Sequence, residues 1–255
     1  MNLLQNTRKQ AARGLTLIEL VVVLAILVAL VGLVLAFFPG LLSRASKSTS
    51  ATSIQDIAKA VQINYSTQLT YGSGYDSLLN AGGATLYSNL TANVAAQLTR
   101  ATLTAADASA LSALGINNIY HLTSTATDAT FNVTQTATVV PVALNVPVAT
   151  ISNTTVQNTV RGNYTPQGTT AAVYVVLGVN KGATIVGSSS ILQDAPVRAG
   201  ADANENPTTS YQRYGLVFLI DGTAPARTAR FLGAVAFGSA GITTAEGSLQ
   251  GYYGN

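Results

Sequence analysis

The chain has 255 residues, a formal charge of +3 and only 9% charged residues, against about 25% in ordinary soluble domains. It has no cysteine and one histidine, His121, which excludes a disulfide framework and leaves no Cys/His set for a zinc site. Arg8, Lys9 and Arg13 account for three of the 13 basic residues, and without that leader ten basic face ten acidic residues, so the alkaline balance is an effect of the leader and nucleic acid is an unlikely partner.

Along the chain, the three leader cations precede the first acid, Glu19, and positive residues beside a membrane segment stay cytoplasmic. Gly14 follows, and then an apolar run, Leu15–Phe38, broken in polarity only by Thr16 and Glu19. Those 24 residues span about 36 Å as a helix, enough for a hydrocarbon core of about 30 Å. A secretory signal places its small residue after the apolar core. Here Gly14 stands before it, so a cut there removes residues 1–14 and leaves the helix in place. An ionisable side chain at that depth is costly and marks a functional site. Cleavage would create its counter-charge, an α-amino group on Leu15 about 6 Å along the axis from Glu19.

Arg13-Gly14, Leu15-Thr16-Leu17-Ile18-Glu19 and Leu20-Val21-Val22-Val23-Leu24-Ala25-Ile26 together resemble the processing segment of the type IV prepilins and of the pseudopilins of type II secretion. The resemblance covers about the first forty residues. It implies a prepilin peptidase that cuts between Gly14 and Leu15, N-methylation of Leu15, and an assembly role for Glu19 as fifth residue of the mature chain. Leucine stands at position 15, where that family more often has phenylalanine.

The helix is expected to continue beyond the membrane segment 15–38 as an amphipathic stretch, 39–71. Ile54, Ile57, Ala58, Val61, Tyr65 and Leu69 recur at helical spacing, and Tyr71-Gly72-Ser73-Gly74 ends the pattern. Gly32, Pro39 and Gly40 are soft points for a kink. The resemblance implies a segment there that melts on assembly.

The head, 72–255, begins with helical signals. Thr104-Ala105-Ala106-Asp107 has capping-box spacing, opening a helix over Ala105–Leu114 that Gly115 stops; Tyr87–Arg100 reads as another helix. Strands are expected at Ile119–Leu122, Phe131–Thr134, Val139–Val148, Ala171–Leu177, Thr184–Val186, Leu216–Ile220 and Arg230–Phe237. Gly178–Gly182 reads as a turn between two of them. Pro141 and Pro147 make Val139–Val148 an edge strand or an extended loop. The Thr/Ala-rich stretch Thr123–Thr170 reads as an exposed insertion. The expected fold class is α+β: a long N-terminal helix, its first half in the membrane, packed against a C-terminal antiparallel sheet. By resemblance this is the pilin architecture.

Other candidate sites are few. Asp202, Asn204 and Glu205 resemble the start of a calcium loop, but Pro207 and Arg213 stand where a turn glycine and a bidentate carboxylate belong. No cofactor and no metal site are therefore expected, calcium at this loop being the one weak candidate. His121 reads as a surface or edge-strand residue, Asp221-Gly222 as a turn, and Arg227 with Arg230 as a solvated pair. Neither a nucleophile elbow nor a phosphate loop is present, so the chain reads as no enzyme. The resemblance implies a structural subunit of a type IV pilus-like filament, working with related pilins or copies of itself, the prepilin peptidase and an inner-membrane assembly platform. It would reside first in the inner membrane, single-pass with the head outside the cytoplasm, and then in a surface or periplasmic filament. A type II secretion pseudopilin and a minor pilin used for adhesion or DNA uptake are the alternatives.

Overall fold

A computed structural model describes residues 16–123, 137–198, 205–206 and 209–253. The chain divides into two compact units, Met1–Leu42 and Ser43–Asn255. One helix, α1 (Leu17–Gln68), runs through the boundary. In the first unit Leu17–Val34 has a mean hydropathy of 3.2 and no buried residue. By length and composition it is apolar enough to cross a membrane. The helical backbone is continuous through Gly32, Pro39 and Gly40.

In the second unit α1 packs through a narrower stripe than expected. Ala51, Ile54, Ile57 and Val61 are buried and Ala58 is half-buried, whereas Tyr65 is 37% and Leu69 72% exposed. The stripe ends at Asn64, whose Nδ2 donates to Thr70 O at 2.8 Å. That bond serves the chain reversal directly after the helix, so the last turn no longer faces the core. Leu69 itself leaves the helix with φ 57°. Gly115 is required at the end of α3 (Ala105–Ala113): its φ is 85°, and a Cβ there would lie 2.6 Å from Thr70 Cβ.

Among the described residues the sheet has nine strands. Its main path runs β4 (Ala137–Pro141), β3 (Asn118–Leu122), β1 (Tyr75–Asn80), β6 (Val173–Gly178), β7 (Tyr214–Thr223), β8 (Ala226–Gly238) and β9 (Gly241–Thr243). Off that path, β2 (Leu98–Thr102) pairs with β5 (Pro147–Ile151), and β5 meets β6 at Thr150–Val175. The sheet is mixed, not antiparallel throughout, because β1 and β3 run parallel. Such a pair needs a long crossover, which α2 (Ala92–Gln97), β2 and α3 supply.

Alternation along the central strands divides the core in two. Val175, Leu177, Leu216, Phe218, Ile220, Ala234 and Ala236 join Ile54, Ile57 and Val61 of α1 and Leu111 of α3. Tyr174, Val176, Val217, Leu219, Val235 and Phe237 point the other way, to Val94 of α2 and to Val156 and Val160 of α4 (Thr154–Arg161). Both faces are therefore covered, which is why these strands read as unbroken apolar runs. Each large side chain so buried contributes about 1.5–3 kcal/mol.

Several expectations are corrected. Tyr87–Arg100 is not one helix: only Ala92–Gln97 is helical, and Leu98–Arg100 pairs with Ile151, Thr150 and Ala149. Sheet pairing outweighs local helix preference there. Val139–Val148 splits into β4 and β5 around a turn with Asn145 at φ 64°. Pro141 ends one strand and Pro147 begins the next, where a missing N–H costs least. Val148, Ala149 and Ile151 are buried, so β5 is core and not an exposed insertion. Thr184–Val186 is no strand; only an isolated bridge joins Val186 to Leu192. Gly178–Gly182 accordingly leads out of the sheet instead of linking two strands. Asp221 and Gly222 pair with Thr228 and Arg227 inside the β7–β8 hairpin, whose turn is Ala224-Pro225. The strand β1 was not anticipated. The strand expected at Phe131–Thr134 lies outside the described residues.

Candidate functional site

Glu19 lies in the first turn of α1. Thr16 N–H donates to Glu19 Oε2 at 2.8 Å, and the Thr16 hydroxyl donates to the same oxygen at 3.0 Å. Glu19 N–H donates in return to Thr16 Oγ1 at 3.3 Å. Leu20 N–H donates to Thr16 O at 3.1 Å, closing the first turn. This is a reciprocal capping box with Thr16 as N-cap. It supplies Glu19 with donors from its own chain and occupies N–H groups that lipid cannot satisfy. The T-x-x-E spacing was visible in the sequence, but Glu19 drew attention for its charge. The capping box gives the carboxylate hydrogen bonds but no counter-charge. Gly14 and Leu15 lie outside the described residues. At Gly32 a Cβ would meet nothing within 4 Å, so nothing of the described chain packs closely there.

The calcium candidate is only partly described, because Asp202 and Asn204 lie outside the described residues. Glu205 is buried, and its Oε1 accepts from Arg198 Nη1 at 2.8 Å, Ser239 N–H at 2.9 Å and the Ser239 hydroxyl at 3.1 Å. Burial pushes the Glu205 carboxyl up, but the hydrogen bonds from Arg198 and Ser239 outweigh it and hold the group below the usual carboxylate range. A carboxylate so engaged pins the β8–β9 turn to the Arg198 strand segment. Among the described residues no three His, Cys, Asp or Glu side chains are placed to share a metal ion.

Two further expectations are overturned. Arg227 and Arg230 are not a solvated pair. The Arg227 and Asp107 side chains are 3% and 4% exposed and form a 2.7 Å ion pair. Asp107 is also the N3 residue of the α3 capping box, accepting from Thr104 N–H at 3.1 Å. Arg227 Nη2 donates to Ala171 O at 2.7 Å and Ile220 O at 2.8 Å. One guanidinium on β8 thus ties α3 to Ile220 of β7 and to the segment just ahead of β6. Arg230 instead lies over the Tyr164 ring at 4.1 Å. His121 is not a surface residue: it is 4% exposed, and its Nδ1 lies 2.7 Å from Ser77 Oγ.

A cleft of about 370 Å³ lies along Ser88–Asn93 with Thr209, Ser210 and Ser239. Its lining carries hydroxyls and amides but no charged side chain, so it offers neither a general acid–base pair nor metal ligands. No family model, curated protein or solved structure matches this chain.

Proposed function

We propose that the chain is a structural subunit of a type IV pilus-like filament, stored in the membrane through α1 and assembled through it. The supporting observation is the placement of Glu19: one carboxylate in the first turn of a helix whose next fifteen residues are apolar and exposed. In this reading cleavage after Gly14 makes the Leu15 amine, and a neighbouring subunit's amine pairs with Glu19 in the filament core. Apolar contact between α1 helices replaces lipid contact, and the charge pair selects the register. The sparse charge of the chain suits a surface that packs against copies of itself. The chain would do no catalysis. Mass spectrometry of the protein from shed fibres tests this reading: it expects a polypeptide beginning at methylated Leu15. A polypeptide still beginning at Met1, in cells with an active processing peptidase, defeats it.

The capping box favours a second reading, a plain membrane anchor in which Glu19 only caps its helix. Glu19→Gln separates the two, because glutamine keeps the capping box and removes the charge. The filament reading expects insertion without assembly; the anchor reading expects no change.

A further inference from the structure

The region around His121 holds a buried base against a cation, with a tight turn folded over both. The hairpin Leu78–Ser88 is closed by Asn80 N–H to Thr85 O at 3.0 Å, Gly83 N–H to Asn80 O at 2.7 Å and Tyr87 N–H to Leu78 O at 2.9 Å. Its tip reaches the sheet at two points. Gly83 O accepts from Arg100 Nε of β2 at 2.7 Å. The Gly83 backbone also sits so close to the imidazole of β3 that a Cβ would lie 2.8 Å from His121 Nε2. On the other side of the ring, Ser77 Oγ of β1 accepts from Leu79 N–H at 3.3 Å, which leaves its hydroxyl proton for His121 Nδ1. We propose that His121 is an acid-sensitive latch: as a neutral imidazole it lets the turn Ala81–Thr85 close over it through Gly83, and its protonation loosens that turn while Leu78, Leu79 and Tyr87 stay in the core.

A second ring proton reverses the Ser77 bond, because Nδ1 then donates and the hydroxyl must find another acceptor. It also puts a positive charge in a buried site beside Arg100. Burial first, and then Arg100, hold the imidazole below its ordinary value. The surrounding groups do not relieve that charge. On β1, Asp76 next to Ser77 accepts from Asn180 Nδ2 at 2.5 Å and from the Tyr211 hydroxyl at 2.8 Å. On β4 the register partner is the neutral Thr138, and on β5 the neutral Pro147 packs on Gly83. The hairpin runs directly into the cleft wall, with Ser88 N–H donating to Asn80 Oδ1 at 3.3 Å.

Because the folded-state value is lowered, closure is fully favoured above the free-imidazole value of about 6.5 and weakens as pH falls below it. The test uses the full chain in detergent micelles. Isotope-labelled histidine gives one resonance pair, since the chain has one histidine. The expected midpoint lies below that of free imidazole. Hydrogen-exchange protection across 81–85, corrected for intrinsic rates, should fall by up to about tenfold per pH unit between about pH 6.5 and the folded midpoint. His121→Asn should abolish that dependence. Should that variant fail to fold, Arg100→Gln carries the test by moving the midpoint up towards the free value. A midpoint at or above the free value, or protection of 81–85 that does not change between about pH 7.5 and about pH 5, overturns the latch.

Discussion

The two parts of α1 present opposite solutions to one problem. Between Leu17 and Val34 every residue is exposed. Between Ala51 and Asn64 a stripe is almost fully withdrawn from solvent, with Val61 at 0% and Ile57 at 1%. Both parts are helical, so backbone preference does not distinguish them. The difference is in what surrounds them. The second part has its partner in its own chain, the face of the sheet formed by Leu177, Leu216 and Phe218. The first part is apolar around most of its circumference and none of it is buried among the described residues, a pattern that suits a segment long and apolar enough to cross a membrane. A carboxylate in such a segment is conspicuous, whereas Asp56 on the exposed side of the second part is ordinary surface.

Substitutions that treat the two parts differently sharpen this contrast. The largest effect is expected from Glu19→Gln, which should insert normally but lower sheared-fibre yield at least about tenfold, since an unpaired buried charge partner costs about 3–5 kcal/mol. Asp107→Ala should destabilise the second unit by a similar amount, about 3–5 kcal/mol in denaturant titration, because it strands the Arg227 guanidinium. Ile57→Ala should cost about 2–5 kcal/mol in the same titration. The equivalent truncation in the first part, Ile26→Ala, should leave the midpoint of the second unit unchanged. A comparable loss from both would erase the contrast. Thr104→Ala removes only a cap and should cost about 1 kcal/mol.

Acid should reveal a further, smaller effect confined to the second unit. Burial raises the Asp221 carboxyl, but hydrogen bonds from Tyr164, Gln167 N–H and Thr228 outweigh it, and the group titrates below its ordinary value, as Glu205 does. Stability from both is complete above the ordinary carboxylate range near about 4 and is lost as pH falls through their lowered values. Unfolding midpoints measured from neutral pH downward should therefore fall in that acid range. Asn replacing Asp221 and Gln replacing Glu205 should flatten the fall.

Local features were the legible ones. The Thr104–Asp107 capping box has both of its hydrogen bonds, and β3, β6, β7 and β8 lie where apolar β-branched runs placed them. The second capping box, Thr16–Glu19, was equally readable by spacing. Where Arg227, His121 and Leu98–Arg100 differ from expectation, the cause is a partner distant in sequence. Arg227 meets Asp107 across 120 positions, and His121 meets Ser77 across 44. Nothing near either residue announces burial. Leu98–Arg100 carries helix-compatible residues and becomes a strand only because β5 lies alongside.

By itself the sequence determined the apolar helix, its lone carboxylate, the cationic residues ahead of Gly14 and the order of helix before sheet. These follow from composition and from periods of two and about 3.6, which any short window contains. Only the tertiary structure decided the parallel β1–β3 pairing, the covering of both sheet faces, and the burial of Arg227, Asp107 and His121. Those depend on which distant segments meet, and the free energy of that meeting is a property of the packed interior, not of any local stretch of chain.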